Sequence, residues 1–271
     1  MRPLDDDQLA AYLARVGVER RAATLTALHL AHRHAVPFEN LDIHLGEPVS
    51  LDLDRIVDKV VRRRRGGFCY EHNLLFAAAL TALGHEVGLL SASMWNPTAG
   101  RWNPPFDHLA LEVDDGGRAV LADVGSGRGF LVPLPFDGGG WVEHPAGGAH
   151  RLVPEPGGDG WVVQQRAARG EPVEPGFRFE RAHHEPGDFA AMCHHQQTSP
   201  ESVFTTGWVC TMARPGGGRL TVRNGLLVEE WPGHREERPL AGPDELERVL
   251  VERFGMAPVA VPAAWFAAGP G

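Results

Sequence analysis

Cys69 is the residue in this chain best suited to covalent chemistry. It follows Arg64-Arg65-Gly66-Gly67-Phe68 and leads into an apolar helical pattern, Leu74-Leu75-Phe76-Ala77-Ala78-Ala79-Leu80. The start of a helix carries partial positive charge and unpaired N–H groups, and both favour a thiolate. A cysteine there is expected to have a depressed pKa and to act as a nucleophile near neutral pH. Gly66 and Gly67 are expected to turn the backbone tightly and leave one side of the sulfur open. The stretch by itself leaves a second reading open, a buried cysteine packed as a small hydrophobe.

Such a nucleophile needs a base to take its proton and a third group to orient that base. Of 14 histidines, His108 stands out, because it begins a predicted strand after the Pro104-Pro105-Phe106-Asp107 turn. Asp123 ends the next predicted strand. The Asp114-Asp115-Gly116-Gly117 sequence between two apolar runs is a hairpin signal. With the turn there, residue 108 is predicted to lie opposite residue 123, within roughly 5 Å. Taken singly, His108 reads as a structural histidine and Asp123 as a strand-end residue. Their pairing across one hairpin moves both toward function.

The elements that must hold these three groups follow from periodicity. Residues 4–33 read as two helices, one stopped by Gly17, the other covering Arg21 to His34 and ended by Pro37. Val36 to Leu41 reads as an extended loop, residues 53–63 as a third amphipathic helix, and the Cys69 helix stops at Gly84. From His85 the pattern changes to short strands separated by Gly/Pro turns, around 87–95, 108–113, 119–124, 152–153, 161–165 and 177–179, which predicts a barrel or sandwich. The glycine-rich stretch 138–160 reads as loop-heavy. Beyond Pro186 the pattern is mixed: a helix over 188–195, strands over 203–212, 220–223 and 226–231, and a helix from Pro243 to Phe254. The tail 257–271 has no strong pattern. The fold class expected is α+β: a helical bundle over 1–84 carrying the nucleophile, an antiparallel β-barrel over 85–187 carrying His and Asp, and an α/β lid over 188–271.

Composition narrows the class further. Forty-three per cent hydrophobic residues suffice for a core. A net charge of −9 and a pI near 5.8 argue against a nucleic-acid or membrane-surface role. Three widely spaced cysteines (Cys69, Cys193, Cys210) fit a reducing compartment without a disulfide framework. Neither a signal peptide nor a membrane span is predicted, so a cytoplasmic location is expected.

The segment Arg65-Gly66-Gly67-Phe68-Cys69-Tyr70-Glu71-His72-Asn73 resembles the active-site segment of arylamine N-acetyltransferases, Arg-Gly-Gly-x-Cys-x-Glu followed closely by Asn. Leu28-His29-x-x-His32 and Val36-Pro37-Phe38-Glu39-Asn40-Leu41 are similar to that family's N-terminal signature. His108-Leu109-Ala110-Leu111 and Asp123-Val124-Gly125 match two further motifs, and the likeness covers about residues 10–230. The resemblance implies the same three-part fold with a cysteine-proteinase-like core, and a Cys69–His108–Asp123 triad. It also implies acetyl-CoA as co-substrate, an arylamine or arylhydrazine as acceptor, and no metal or prosthetic group. By resemblance, Gly125, Ser126, Gly127, Arg128 and Gly129 form a loop near the CoA phosphates, where N–H groups and Arg128 meet the pyrophosphate. Phe38, Trp95, Phe130 and Phe204 are the candidates for the acceptor pocket. Core packing is the alternative for each of the four.

The chain departs from that pattern in places. Ser126 stands where the family often has Phe, and Trp95 where a smaller apolar residue is usual. The segment 193–204 keeps Pro200-x-Ser202-x-Phe204 but lacks the usual Asn and first Ser. An amide synthase of the same superfamily, releasing a polyketide as a macrolactam, is the alternative function. A cysteine protease or transglutaminase-like enzyme shares the triad chemistry but not the surrounding motifs. Zinc held by Cys193-His194-His195 with His183-His184 lacks the usual ligand spacing. A binding module with an inactive triad is disfavoured because all three catalytic types are present.

Overall fold

The computed structural model describes residues 1–138, 140–144 and 148–266. The expectations for 139 and 145–147, within the glycine-rich stretch, and for 267–271, in the tail, lie outside the described residues.

The N-terminal helices are α1 (Asp6–Val16), α2 (Leu25–Ala35), α3 (Leu41–Leu45), α4 (Leu53–Ile56) and α5 (Cys69–Ala82). Their ends follow local chemistry. Asp5 caps α1 by accepting from the Gln8 N–H, and Gly17 closes it at φ 75°. Thr24 caps α2, so that helix starts later than its apolar pattern suggests, after a 3₁₀ turn at Arg20–Ala22. The third expected helix is α4 running into a π-helical stretch, Val57–Arg62. Helix α5 is buried along nearly its whole length, without a polar face, as its continuous apolar run requires.

Residues 1–84 are not all helical. The expected extended loop forms a two-residue strand, β1 (Phe38–Glu39), and then α3. Strands β2 (Val87–Asn96), β3 (Arg101–Trp102), β4 (His108–Asp114), β5 (Ala119–Ala122) and β6 (Leu134–Pro135) follow. Next come β7 (Val142–Glu143), β8 (Ala149–Pro154), β9 (Trp161–Arg166) and β10 (Glu174–His184). They join antiparallel in the order β6-β5-β4-β2-β10-β9-β8-β7, with β3 on β2, and curl into a nearly closed barrel. The stretch 138–160 thus contains two strands, β7 and β8, so it is less loop-like than its glycines imply.

The C-terminal part contains α6 (Ala190–Thr198), α7 (Val203–Thr206), β11 (Val209–Arg214), β12 (Gly218–Arg223), β13 (Leu226–Trp231), β14 (His234–Pro239) and α8 (Pro243–Phe254). Two expectations change here. Val203–Thr206 is helical rather than strand, because Ser202 caps it at Phe204 N–H. Strand β14 went unpredicted, since all six of its residues are exposed and carry no alternation. The sheet order is β1-β11-β12-β13-β14, so a strand from the N-terminal part completes the C-terminal sheet. Helix α8 packs Leu246, Val249, Leu250 and Phe254 on that sheet.

Candidate active site

Cys69 is the first residue of α5, and a buried ionic lattice fixes the turn before it. The Phe68 N–H donates to Glu71 Oε2 at 3.2 Å and the Gly66 N–H to Glu39 Oε1 at 3.2 Å. Lys59 joins Glu71 (2.8 Å) and Asp42 (2.8 Å), while Arg65 joins Glu39 (2.9 Å) and Asp42 (2.6 Å). Burial pushes the Glu71 carboxyl up, against the pull of Lys59. The same turn is held from behind by histidines. The Gly67 and Pro37 carbonyls only accept, so His72 Nε2 donates to them (2.9 and 3.1 Å), His32 Nε2 donates to His72 Nδ1 (2.8 Å), and the Tyr12 hydroxyl donates to His32 Nδ1 (2.9 Å).

Gly66 and Gly67 differ from expectation in their reason. Neither has a positive φ; the left-handed residue of the turn is Arg64, at 48°. A Cβ on Gly66 would lie 2.1 Å from Pro37 O, and one on Gly67 would lie 2.7 Å from Glu71 Oε2. Close approach, not turn geometry, requires glycine there.

His108 and Asp123 meet. His108 Nε2 lies 2.9 Å from Asp123 Oδ2. Their register is not the one expected: the β4–β5 ladder pairs Leu111 with Ala122 and Asp114 with Ala119, which sets residue 108 level with residue 125. A shift of two keeps the same face, so Asp123 is the diagonal neighbour of His108. Asn73 Nδ2 donates to Asp123 Oδ1 at 2.9 Å, the Gly125 N–H donates to the same oxygen at 2.8 Å, and the Asp123 N–H donates to His29 Nε2 at 3.2 Å. Burial works to protonate Asp123, but the His108 charge and the bonds from His108 and Asn73 hold its carboxyl well below the usual range.

Cys69 is 3% exposed. Burial pushes its thiol well up, and Asp107, Cys193 and Asp123 push in the same direction; a hydrogen bond from the Leu109 backbone N–H works against them. The expected depression by the helix terminus is therefore outweighed. A thiolate at this position needs a cation, and His108, which precedes Leu109, is the group that can become one by taking the thiol's proton. His108 Nδ1 makes no hydrogen bond among the described residues.

A family model described as N-acetyltransferase matches residues 22–260. Human arylamine N-acetyltransferase 1 is 32% identical over 273 residues, covering 92% of this chain and 94% of that protein. The arylamine N-acetyltransferase of Escherichia coli is 32% identical over 253 residues, covering 90% and 87%. The chain belongs to the arylamine N-acetyltransferase family. The solved structure of the Salmonella typhimurium member superposes with a TM-score of 0.86 over 98% of both chains at 29% identity. That of the Mycobacterium marinum member in complex with CoA superposes at 0.81, covering 92% of this chain and 93% of that one, at 30% identity.

In this member of the family, the loop after Asp123 is pinned on its carbonyl side. Arg33 donates to the carbonyls of Val124, Ser126, Gly127 and Gly129, and Arg219 donates to that of Gly127. Arg128, expected to be free for a phosphate, is ion-paired with Glu230 on β13 at 2.6 Å. The loop meets several cavities. One of about 260 Å³ is lined by Phe38, Gly127, Arg128, Thr211 and Arg223, among others. A second, of about 360 Å³, has Met94, Trp95, Phe130 and Phe177 as apolar walls and Ser126 and His150 as polar ones.

The four aromatic candidates thus separate. Trp95 and Phe130 share the larger of these cavities, Phe38 lines the smaller, and Phe204 packs on Phe38 and Phe68, with ring centroids at 6.2 and 5.4 Å. Phe130 is also a core residue, stacked on His29. Sequence reasoning missed Phe177, whose ring lies 5.2 Å from that of His108. It also passed over Asn73, although its spacing of four from Cys69 puts both on one helix face. Among the described residues, no group of three or more His, Cys, Asp or Glu side chains is placed to hold a metal ion, and no helix is long and apolar enough to cross a membrane.

Proposed function

We propose that the protein moves an acetyl group from acetyl-CoA to an arylamine or arylhydrazine through an acetylated Cys69. The observation that carries this reading is the buried His108–Asp123 pair at 2.9 Å beside the strand whose Leu109 N–H faces the Cys69 sulfur. His108 takes the thiol proton, and Asp123 orients the imidazole and stabilises its charged form. Sγ attacks the thioester carbonyl, the carbon–sulfur bond to CoA breaks, and CoA leaves with the proton held by His108. The amine nitrogen then attacks the acetyl-cysteine and gives a proton to His108, and the thiol is regenerated.

Trp95, Phe130 and Phe177 form the acceptor's apolar wall in this reading, in the cavity that adjoins His108. Phe38, in the neighbouring smaller cavity, and Phe204, packed on it, stand apart from that wall. Residues 125–129 lie along the CoA path, where Arg128 must exchange Glu230 for a phosphate. The segments 1–84, 85–187 and 188–271 are its three working parts, and its compartment is the cytoplasm.

Acetyl-CoA alone is expected to add one acetyl mass to the intact protein, and Cys69→Ala to remove that addition. Acetyl-CoA with an aromatic hydrazine is expected to release free CoA thiol continuously. If no acyl-CoA loads Cys69, acyl transfer from CoA is excluded and an amide synthase fed by another acyl donor takes its place.

A further inference from the structure

Arg33 sits in the last turn of α2, buried, with no acidic side chain within ion-pair distance among the described residues. A buried guanidinium without a carboxylate is costly unless its N–H groups are otherwise met. Here Nε has no partner among the described residues, and the two Nη groups are met by one segment only. Nη1 donates to Val124 O (3.3 Å) and to Ser126 O, and Nη2 donates to Gly129 O (3.2 Å) and Gly127 O (3.5 Å). Burial lowers its pKa, but only to about 10, with Asp123 opposing the shift, so the side chain is a cation throughout the physiological range.

The segment it gathers is the one that covers the nucleophile. A Cβ on Gly125 would lie 2.8 Å from Cys69 Cα, so the loop already touches the helix start and has no slack on that side. Ser126, Gly127 and Gly129, whose carbonyls turn inward to Arg33, line the cavity that also holds Trp95 and Phe177. The N–H groups of the loop are used differently: those of Val124 and Gly125 go to Asn73 and Asp123. The rigid fork of one arginine therefore sets where four of the peptide planes between residues 124 and 130 stand relative to the acceptor cavity.

We propose that Arg33 is a positioning residue of the acyl-transfer site, whose planar guanidinium fixes loop 124–129 as the wall of the acceptor cavity. The proposal rests on the acetyl-transfer reading above. A lysine keeps the charge but offers a point rather than a fork, and it cannot reach four carbonyls in this arrangement.

The test uses Arg33→Lys and Arg33→Met in the full chain, with steady-state kinetics against an aromatic hydrazine, intact mass after acetyl-CoA, and amide hydrogen exchange. Both variants are expected to raise the acceptor KM at least tenfold while Cys69 still becomes acetylated. Amides of 124–130 are expected to exchange at least tenfold faster, with those of α5 unchanged. A wild-type acceptor KM in Arg33→Lys overturns the proposal, because charge alone then suffices. Unchanged exchange over 124–130 overturns it whatever the kinetics. A fall in melting temperature with wild-type KM in both variants reduces Arg33 to a structural residue. If Arg33→Met fails to fold, Arg33→Lys alone decides. If the wild type itself transfers no acetyl group, the acetyl-transfer reading fails, and faster loop exchange in the variants still reports the anchoring.

Discussion

Asn73 Nδ2 donates to Asp123 Oδ1 at 2.9 Å, a buried bond between the helix that begins with Cys69 and the strand end that carries the acid. The same nitrogen donates to Leu109 O at 2.6 Å, and Asn73 Oδ1 accepts the Val124 N–H at 3.0 Å. One amide thus ties the segments bearing all three proposed catalytic groups. Replacing it leaves a buried carboxylate oxygen and a buried carbonyl short of donors. Asn73→Ala is expected to cost about 1.5–3 kcal/mol of stability, read as a lower urea midpoint at unchanged slope. A fall in kcat/KM of about tenfold or more is expected with it, from misplacement of Asp123.

The reactivity of Cys69 should depend on His108. Burial and the neighbouring acids raise the thiol's pKa. The neutral thiol therefore persists to higher pH than an ordinary cysteine unless proton transfer to His108 removes it. Iodoacetamide is expected to alkylate the wild-type residue at neutral pH. In His108→Ala the rate should be lower at neutrality and climb about tenfold per pH unit through the alkaline range, beyond the usual thiol pKa of about 8.5. A wild-type pH profile in that variant would remove His108 from the activation of the thiol.

Acid should destabilise the fold through its buried histidines. Burial lowers His29 from 6.5 to about 4 and His72 from 6.5 to about 3. A base whose folded pKa is depressed binds fewer protons in the folded chain than in the unfolded one, so stability is lost as pH falls below 6.5 and levels off below the folded value. For His29 the ceiling is roughly 3 kcal/mol. Urea midpoints measured at pH 7, 6 and 5 should fall in that order. His29→Gln should flatten the fall over pH 6.5 to 4, whatever its effect at pH 7.

Lys59 sits among three acids. Lys59→Met would strand Glu71 without a cation and leave Asp42 with Arg65 alone in the buried lattice before Cys69. Breaking such a group costs about 3–5 kcal/mol. Glu71 would then be more easily protonated, since burial already raises its pKa. The variant's deficit should therefore shrink as pH falls toward 5, and a deficit independent of pH would contradict the lattice as described.

The sequence by itself determined the longer elements and the candidates for the site. Periodicity placed the Cys69 helix, six of the barrel strands and the Pro243–Phe254 helix, because each buries a face whose spacing is written into the chain, whereas the two-residue strands β3, β6 and β7 are too short to carry a pattern. The Cys-His-Asp set was legible for a similar reason: hairpin parity puts residues 108 and 123 on one face even though the register differs by two. Only the tertiary structure decided what environment these groups meet. The thiol's pKa follows from burial and from Asp107 and Cys193, which the sequence places far from Cys69 or gives no reason to connect with it. Arg128 is taken by Glu230, 102 residues away. Arg33 reaches a loop more than ninety residues downstream, as its bond to Ser126 shows. Local pattern reports which face a side chain occupies. Charge, desolvation and hydrogen-bond partners depend on what the remainder of the chain brings to that face, and those contacts exist only once the helices and the two sheets have packed.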